Sequence, residues 1–340
     1  MPFVQEILSC RSISVVGLGK NTGKTECLNY ILNRLPAEGF TVAVSSAGID
    51  GETVDLVTGT SKPEIFLRQG TLFATSEKHY RERRILSELL DISHRKTSLG
   101  RVVTARALSQ GKSQLSGHPT TEALKRWIER ALEIFGADLA IIDGALSRVS
   151  IASPAVTEGL ILSTGAAISA SIDTLVFKTA FMVALINLEK TDMVGDNREN
   201  IPVSGIWSID SHGNFNQLLK GGVFNSDSIN PDDVSDTKAI LITGALTDRF
   251  LNQIRSLCLE RKIELIISDF SKAFISHTNF TSFIKSGGKL RVLNKSKLLA
   301  VCANPVSPEG YILDSEKLCS KLSSAIKLPV YDIRRITHEA

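Results

Sequence analysis

One short stretch near the start of the chain limits the fold more than any other feature of the sequence. Residues 17–25 read Gly-Leu-Gly-Lys-Asn-Thr-Gly-Lys-Thr. They join an apolar, β-branched run at Ser12–Val16 to a segment at Lys24–Leu35 whose apolar residues recur at helical spacing. A strand, a glycine-rich loop and a helix are therefore predicted in that order. Glycines let backbone N–H groups approach an anion closely, and a helix start adds N–H donors and partial positive charge. The stretch predicts a binding site for a triphosphate.

Residue types in this stretch, called here the glycine loop (residues 17–25), match the roles that a triphosphate requires. Lys24 is expected to reach the terminal phosphates, and the Thr25 hydroxyl is expected to bind Mg²⁺. Five residues separate Gly17 from Gly23, whereas the common GxxxxGK[ST] pattern has four. The alternative is a tight strand–helix turn that happens to carry Gly-Lys-Thr. The predicted ATP-binding residues of the loop are Gly17, Gly19, Lys20, Asn21, Thr22, Gly23, Lys24 and Thr25.

Carboxylates after two predicted strands complete the predicted site. Asp143 ends an apolar run, where it would hold Mg²⁺ from the side opposite the loop. Asp50 and Glu52 follow the predicted strand Thr41–Val44, and either could position the attacking nucleophile. The alternatives are a solvated aspartate that closes a strand and a polar turn without chemistry. The predicted catalytic residues are Lys24, Asp50 and Glu52, and the predicted metal ligands are Thr25, Asp143 and Asp50.

Apolar runs alternate with helical patterns along most of the chain, which is typical of a largely parallel sheet covered by helices. We predict an α/β fold of the P-loop NTPase type, with a doubly wound, mostly parallel sheet and an additional α/β segment. Residues 1–190 would form a nucleotide-binding core, and residues 191–297 an inserted or second α/β segment. Residues 298–340 would add the closing strand, helix and strand of the core.

Three local predictions concern the first half of the chain. Apolar residues on both sides of Gly70 predict a hairpin or meander over Lys62–Ser76. The charged stretch Ser76–Leu99 predicts a helix with an exposed face. Thr120 and Thr121 are of the type that caps a helix N-terminus, and a helix is predicted to follow them.

Charge and cysteine content exclude several classes of partner and site. The 340 residues carry 39 basic and 36 acidic side chains, and this net charge of +3 predicts no attraction to nucleic acid or to an anionic membrane. Five cysteines without a CxxC pair predict neither a disulfide framework nor a zinc site, and they favour a cytoplasmic location. The longest apolar stretch, near Leu175–Leu188, contains Lys178 and predicts a buried helix rather than a membrane span.

The glycine loop resembles that of dethiobiotin synthetase and its relatives among the P-loop ATPases, in which the loop reads GTDTxVGKT. Gly17, the pair Thr22-Gly23 and the pair Lys24-Thr25 stand at comparable spacing. The resemblance implies ATP and Mg²⁺ as ligands, and it extends over roughly residues 10–190 and 298–333.

Two further segments carry the same resemblance. Residues 137–145 are similar to the family's AD-apolar-apolar-VEGAGG strand, with Asp143 in place of the magnesium-binding Glu. Residues 301–310 resemble the family's VANDVTPPG segment, which implies that Asn304 contacts the adenine base. The alternative for Asn304 is an Asn-Pro turn without a ligand. The family's substrate-handling lysine, in a KP pair, is missing from the matching stretch Val44–Gly48, and this departure argues against carboxylation of a diamine.

A second, narrower resemblance points to a protein partner. Residues 143–148, 152–154 and 304–311 are similar to an ATP-binding accessory protein associated with lysine 5,6-aminomutase, an adenosylcobalamin enzyme. The resemblance implies that ATP turnover drives a conformational exchange in a partner metabolic enzyme. Two other functions stay open: an ATP-dependent ligase or carboxylase of the dethiobiotin synthetase type, and a nucleotide-binding module that does not hydrolyse ATP.

Four remaining features have a functional and a structural interpretation each. Lys20 touches phosphate, reaches across a homodimer as the signature lysine of related ATPases does, or is a solvated loop residue. Arg148 stabilises charge on the γ-phosphate, contacts a partner or lies on the surface. His118 belongs to a substrate or partner loop, or is structural. Residues 294–297 read Asn-Lys-Ser-Lys, and the missing fourth-position aspartate of the guanine-reading NKxD motif favours ATP over GTP.

Overall fold

A computed structural model describes residues 2–47, 65–145, 153, 156–194, 201–202, 204–219, 229 and 234–338. The chain forms two compact units. The first combines Met1–Ala180 with Lys297–Ala340, and the second covers Phe181–Ser296. The sequence had predicted the additional segment at residues 191–297.

Up to residue 186, the described α-helices follow one another with one to three strands between them. In chain order they are α1 (Val4–Leu8), β1 (Ser12–Gly17), α2 (Lys24–Arg34), β2 (Val42–Ser46), β3 (Ile65–Leu67), β4 (Leu72–Ser76), α3 (Glu77–Glu82), β5 (Ser87–Thr97), β6 (Gly100–Ala107), β7 (Gly111–Ser113), α4 (Thr121–Glu133), β8 (Leu139–Ala145), β9 (Gly159–Gly165) and α5 (Ile172–Ile186).

The rest of the described chain also combines strands and helices. Its elements are β10 (Ile206–Ile209), β11 (Phe215–Leu219), β12 (Ala239–Ile242), β13 (Leu246–Thr247), α6 (Asp248–Arg261), β14 (Glu264–Ile267), β15 (Ala273–Phe274), α7 (His277–Lys285), β16 (Lys289–Val292), β17 (Lys297–Asn304), α8 (Ser315–Ile326), β18 (Val330–Asp332) and α9 (Ile333–His338).

The first unit is built on a nine-stranded sheet in the order β18-β17-β9-β1-β8-β2-β4-β6-β5. The seven strands from β18 to β4 are parallel to their neighbours, whereas β6 and β5 are antiparallel. All six residues of β1 are buried, as expected for a central strand that is covered on both faces. The protein is therefore an α/β protein with a large, mostly parallel mixed sheet.

Alternate residues of the central strands face two separate cores. On one face, Val15 and Ile141 pack with residues of α2, and α1 and α9 contribute to the same core. On the other face, Ala140 and Ile142 pack with residues of α4. Because side chains alternate along a strand, Asp143 shares the face of Ile141, which is the face covered by α2.

The second unit has its own sheet and core. Its five strands are ordered β11-β10-β12-β14-β16, with β12, β14 and β16 parallel and joined through α6 and α7. Leu241 and Ile266 are fully buried in its core. At the amino-terminal end of β14, buried Glu264 accepts a hydrogen bond from the Thr191 hydroxyl (2.6 Å) and lies 3.5 Å from Arg291.

Two local predictions from the sequence are wrong. The stretch from Ser76 to Leu99 contains a helix of only six residues, α3, and then the eleven-residue strand β5. The charged residues from Glu88 to Lys96 lie along an edge strand, and only those within Glu77–Glu82 lie on a helix. The chain does turn at Gly70, but β3 and β4 do not pair; β3 pairs with β7, and β4 with β2 and β6.

One cap prediction is confirmed in detail. The Thr120 side chain accepts a hydrogen bond from the Ala123 N–H (3.2 Å) and so caps α4, whereas Thr121 is the first residue of the helix. Within the part of the chain that the structure describes, none of the helices combines the length and the apolar character that a bilayer crossing requires.

Candidate functional site

The carboxyl ends of four neighbouring strands place the predicted residues at one edge of the sheet. β1 lies between β8 and β9, and β17 lies beyond β9. Asp143 of β8 is level with Val15 of β1, two residues before the glycine loop begins, and Asn304 of β17 is level with Gly165 of β9. In parallel α/β sheets this edge is where ligands bind. The fold thus brings the glycine loop, Asp143 and Asn304 to one edge.

The glycine loop is tightly folded, and two of its glycines are required by that shape. A Cβ atom at Gly17 would lie 2.5 Å from Oγ1 of Thr22 and 2.8 Å from Cδ of Lys24. The Lys24 side chain therefore folds back over the start of the loop. Gly23 has a φ of +88°, and a Cβ atom there would lie 2.8 Å from Cβ of Asn304. Both positions leave no room for a side chain.

Ser163, at the end of β9, fastens the loop at two points. Its buried hydroxyl donates to the Thr22 carbonyl (2.6 Å), and its own carbonyl accepts from the Leu18 N–H (2.8 Å). Inside the loop, the Thr22 hydroxyl donates to the Gly19 carbonyl (3.2 Å). These bonds fix the beginning and the end of the loop to the same strand. Sequence reasoning missed Ser163, and its only signal was a hydroxyl at the end of a predicted strand.

The N-terminus of α2 faces the loop without a side-chain cap. Its N-cap residue is Gly23, which offers no oxygen to the first N–H groups of the helix. Several other helices of the described chain are capped by a side chain, as α4 is by Thr120, α6 by Thr247 and α8 by Asp314, whereas the short helix α1 is not. A helix start without a cap presents N–H donors and partial positive charge, and an anion satisfies both. Lys24 adds a full positive charge at the same place.

Asp143 is half-buried on the face of the sheet that α2 covers. Its backbone carbonyl accepts from the Ala47 N–H (2.7 Å), which joins the ends of β8 and β2. Thr25, the second predicted metal ligand, lies half-exposed in the first turn of α2. A hydroxyl and a carboxylate are the hard oxygen donors that Mg²⁺ prefers. Both side chains therefore suit the ion that the sequence predicted.

Asn304 forms a wall of the loop on its β9–β17 side. Its buried side chain packs against Gly23, and its Oδ1 accepts from the Val306 N–H (3.2 Å). Asn304 therefore forms the Asn-Pro turn of the alternative interpretation. Its side chain also contacts the glycine loop. Beyond it, the Tyr311 hydroxyl donates to the Ala166 carbonyl (2.5 Å) and ties the following turn to the end of β9.

Two buried thiols lie beneath the site in the core. The Cys27 Sγ, one turn into α2, lies 3.6 Å from the Cys302 Sγ of β17. The hydrogen bond with Cys27 and complete burial raise the pKa of Cys302 well above its ordinary value. Cys302 thus remains protonated, and the two side chains pack as small apolar groups between the helix and the strand.

Asp50, Glu52 and Arg148 lie outside the described residues. Lys20 is exposed at the tip of the loop. His118 follows Gly117, which packs against the Ser46 backbone. Burial lowers the pKa of His118 to about 4, with Asp91 and Arg126 as the charged groups that act on it.

Comparisons with protein-family models, with curated proteins and with solved structures found no match to this chain.

Proposed function

We propose that the protein is a doubly wound P-loop NTPase that binds Mg²⁺-ATP at the glycine loop. In this proposal it hydrolyses ATP as an accessory or reactivating protein for a partner metabolic enzyme. The observation that carries the proposal is the N-terminus of α2, which has no side-chain cap and follows a loop clamped by Ser163. A loop held in shape before an anion arrives loses little conformational entropy when the anion binds. Phosphate is the anion that this combination suits best.

Residue roles in the proposal follow from position. Loop N–H groups and Lys24 would neutralise the phosphates, and Thr25 with Asp143 would hold Mg²⁺. When bound, Mg²⁺ stabilises the charge that develops on the transferred phosphoryl group. Asn304 packs against Gly23, and in this proposal its side chain contacts the adenine base. Asp50, as a further metal ligand, and Glu52, as a residue that orients the nucleophile, complete the proposed set.

An accessory role is preferred over a small-molecule ligase because of the residues at the end of β2. This stretch reads Val44-Ser45-Ser46-Ala47, so it offers no amine to a substrate carboxylate or carbamate. The ATPase would then drive a change in another protein. An adenosylcobalamin-dependent aminomutase is the partner that the narrower resemblance suggests.

The test begins with ATP binding to the full chain, measured by calorimetry with and without Mg²⁺. Lys24→Ala is expected to weaken binding about ten- to hundredfold, because hydrogen bonds from a charged donor contribute about 1.5–3 kcal/mol. Lys317→Ala, on the exposed surface of α8, is the matched control and should bind as the wild type does. Equal affinities for ATP in all three proteins, or no binding at all, would refute the proposal.

ATP hydrolysis separates the accessory role from the alternatives. Phosphate release is measured for the protein alone and with proteins encoded by neighbouring genes, including any aminomutase. The accessory role predicts that one of these proteins stimulates release and that Lys24→Ala abolishes the stimulation. Release that depends on a small carboxylic acid or amine instead would favour a ligase. Binding without release in any mixture would favour a nucleotide-binding module.

A further inference from the structure

The nine-stranded sheet ends on one side in a long strand. Among the described strands, β5 pairs with β6 alone, and it has eleven residues. The strand at the opposite end of the sheet, β18, has only three. A short edge strand is one of the usual protections against pairing with another chain, whereas a long one offers a row of N–H and C=O groups to a partner. The two ends of the sheet thus differ in their capacity to bind a further strand.

Leucine side chains are exposed around the beginning of β5: Leu89 lies within the strand, Leu86 just before it, and Leu108 just after β6. Leu86 is 71% exposed, Leu108 50% and Leu89 49%. The Leu108 N–H donates to the Leu86 carbonyl (2.8 Å), so these two residues lie side by side. Exposed leucines grouped beside an edge strand are typical of a surface that another protein covers. They add apolar surface that a partner could bury to the hydrogen-bonding groups of the edge.

Charge is distributed unequally along β5. The first half carries Glu88 and Asp91, and the second half carries His94, Arg95 and Lys96. In an antiparallel pair of two copies, the acidic half of each strand lies against the basic half of the other. In a parallel pair, like charges would lie opposite each other and repel. The strand is therefore complementary in charge to an antiparallel copy of itself.

We propose that two copies of this chain associate through antiparallel pairing of their β5 strands, which joins the two nine-stranded sheets into one. The interface is isologous, so every contact occurs twice about a twofold axis. Exposed Leu89 is covered in this arrangement by the aliphatic stems of basic residues from the second half of the other strand. Asp91 keeps its ion pair with Arg130 of α4 (3.3 Å). The proposal does not depend on ATP binding.

A charge-swap experiment tests the pairing in the full-length protein. Sedimentation velocity across the micromolar range gives the oligomeric state of the wild type, of Glu88→Lys and of the double variant Arg95→Glu/Lys96→Glu. The wild type is expected to dimerise, and each variant to dimerise at least about tenfold more weakly, because its altered charges face like charges twice. Mixing the two variants restores opposite charges at both contacts and should restore a dimer.

A matched control keeps the result interpretable. Glu38→Lys makes the same charge change at an exposed turn after α2, and it should dimerise as the wild type does. Circular dichroism of each variant shows whether the fold is retained, and the mixing step itself requires two folded proteins. The pairing of β5 with β6 is irregular between Leu89 and Asp91 and between Ile92 and Lys96. A wild type that stays monomeric throughout would overturn the proposal and would mean that these irregularities and the charges of β5 protect the edge. A dimer unaffected by both variants would overturn it as well.

Discussion

Replacing Ser163 by alanine is expected to loosen the glycine loop while the sheet remains intact. The serine is 0% exposed, and its hydroxyl is the group that binds the Thr22 carbonyl (2.6 Å). The bond between the Leu18 N–H and the Ser163 carbonyl involves only backbone and should survive the substitution. One of the two points that fasten the loop is therefore removed and the other is kept.

The size of the effect follows from what the substitution leaves behind. An intramolecular hydrogen bond contributes about 0.5–1.5 kcal/mol, and a buried carbonyl left without a donor costs about 1–3 kcal/mol. Thr22 is itself 0% exposed, although water can reach the half-buried Gly23 beside it. We therefore expect the free energy of unfolding to fall by about 1–2 kcal/mol. If the loop binds phosphate, ATP affinity should fall about five- to thirtyfold. In the variant, part of the free energy of ATP binding is used to order the loop, which Ser163 holds in shape in the wild type.

The control is Ser14→Ala in the neighbouring strand β1. Ser14 is also 0% exposed, and its hydroxyl accepts from the Thr157 hydroxyl (3.2 Å), on the side of the sheet away from α2. Urea denaturation and ATP calorimetry are carried out on both variants. Ser14→Ala should lower stability and leave ATP affinity unchanged, and Ser163→Thr, which keeps the hydroxyl, should recover affinity. The reasoning fails if Ser163→Ala and Ser14→Ala change the two quantities equally.

Two further predictions concern other parts of the first unit. Gly23→Ala should lower the free energy of unfolding by about 2–4 kcal/mol in urea denaturation, because a positive φ is strained for alanine and the new Cβ meets Asn304. Gly39→Ala, at a φ of +69° with nothing within 4 Å, should cost only about 1 kcal/mol; equal losses would contradict the close packing of Gly23. Burial lowers the pKa of His118 from 6.5 to about 4 in the folded protein. As pH falls, His118 is therefore protonated in the unfolded chain before it is protonated in the folded protein, and stability is lost through this range. Relative to His118→Gln, the wild type should lose about 3 kcal/mol between pH 7 and pH 4, and parallel pH profiles for the two proteins would exclude the effect.

Local patterns predicted those parts of the fold that depend on neighbours in the sequence. The apolar run at Ser12–Val16 lies in β1, and the cap at Thr120 precedes α4, as predicted. Both predictions succeeded because a strand buried on both faces and a capping hydroxyl can each be recognised from a few consecutive residues. The charged stretch after Ser76 was misjudged because an edge strand and an exposed helix face both carry many charges. This stretch forms a strand because it pairs with β6. That pairing cannot be predicted from a local sequence pattern.

The candidate site divides in the same way. Lys24 and Thr25 were predicted from spacing alone, because the glycine loop is a continuous stretch of sequence. Ser163 was not predicted, because its role exists only once β9 lies beside β1, and Ser163 and Thr22 are 141 positions apart in the sequence. The packing of Asn304 against Gly23 likewise results from the sheet order.

The position of Asn304 has a consequence for the order in which the site is completed during synthesis. The glycine loop leaves the ribosome early, but the strand that walls it, β17, follows only after the whole second unit has been made. A nascent chain that ends before residue 297 holds every residue of the loop and lacks the side chain against which Gly23 packs. If the glycine loop binds a nucleotide as proposed, partly made chains would bind it less well than the finished protein, because the side chain that packs against Gly23 is not yet present.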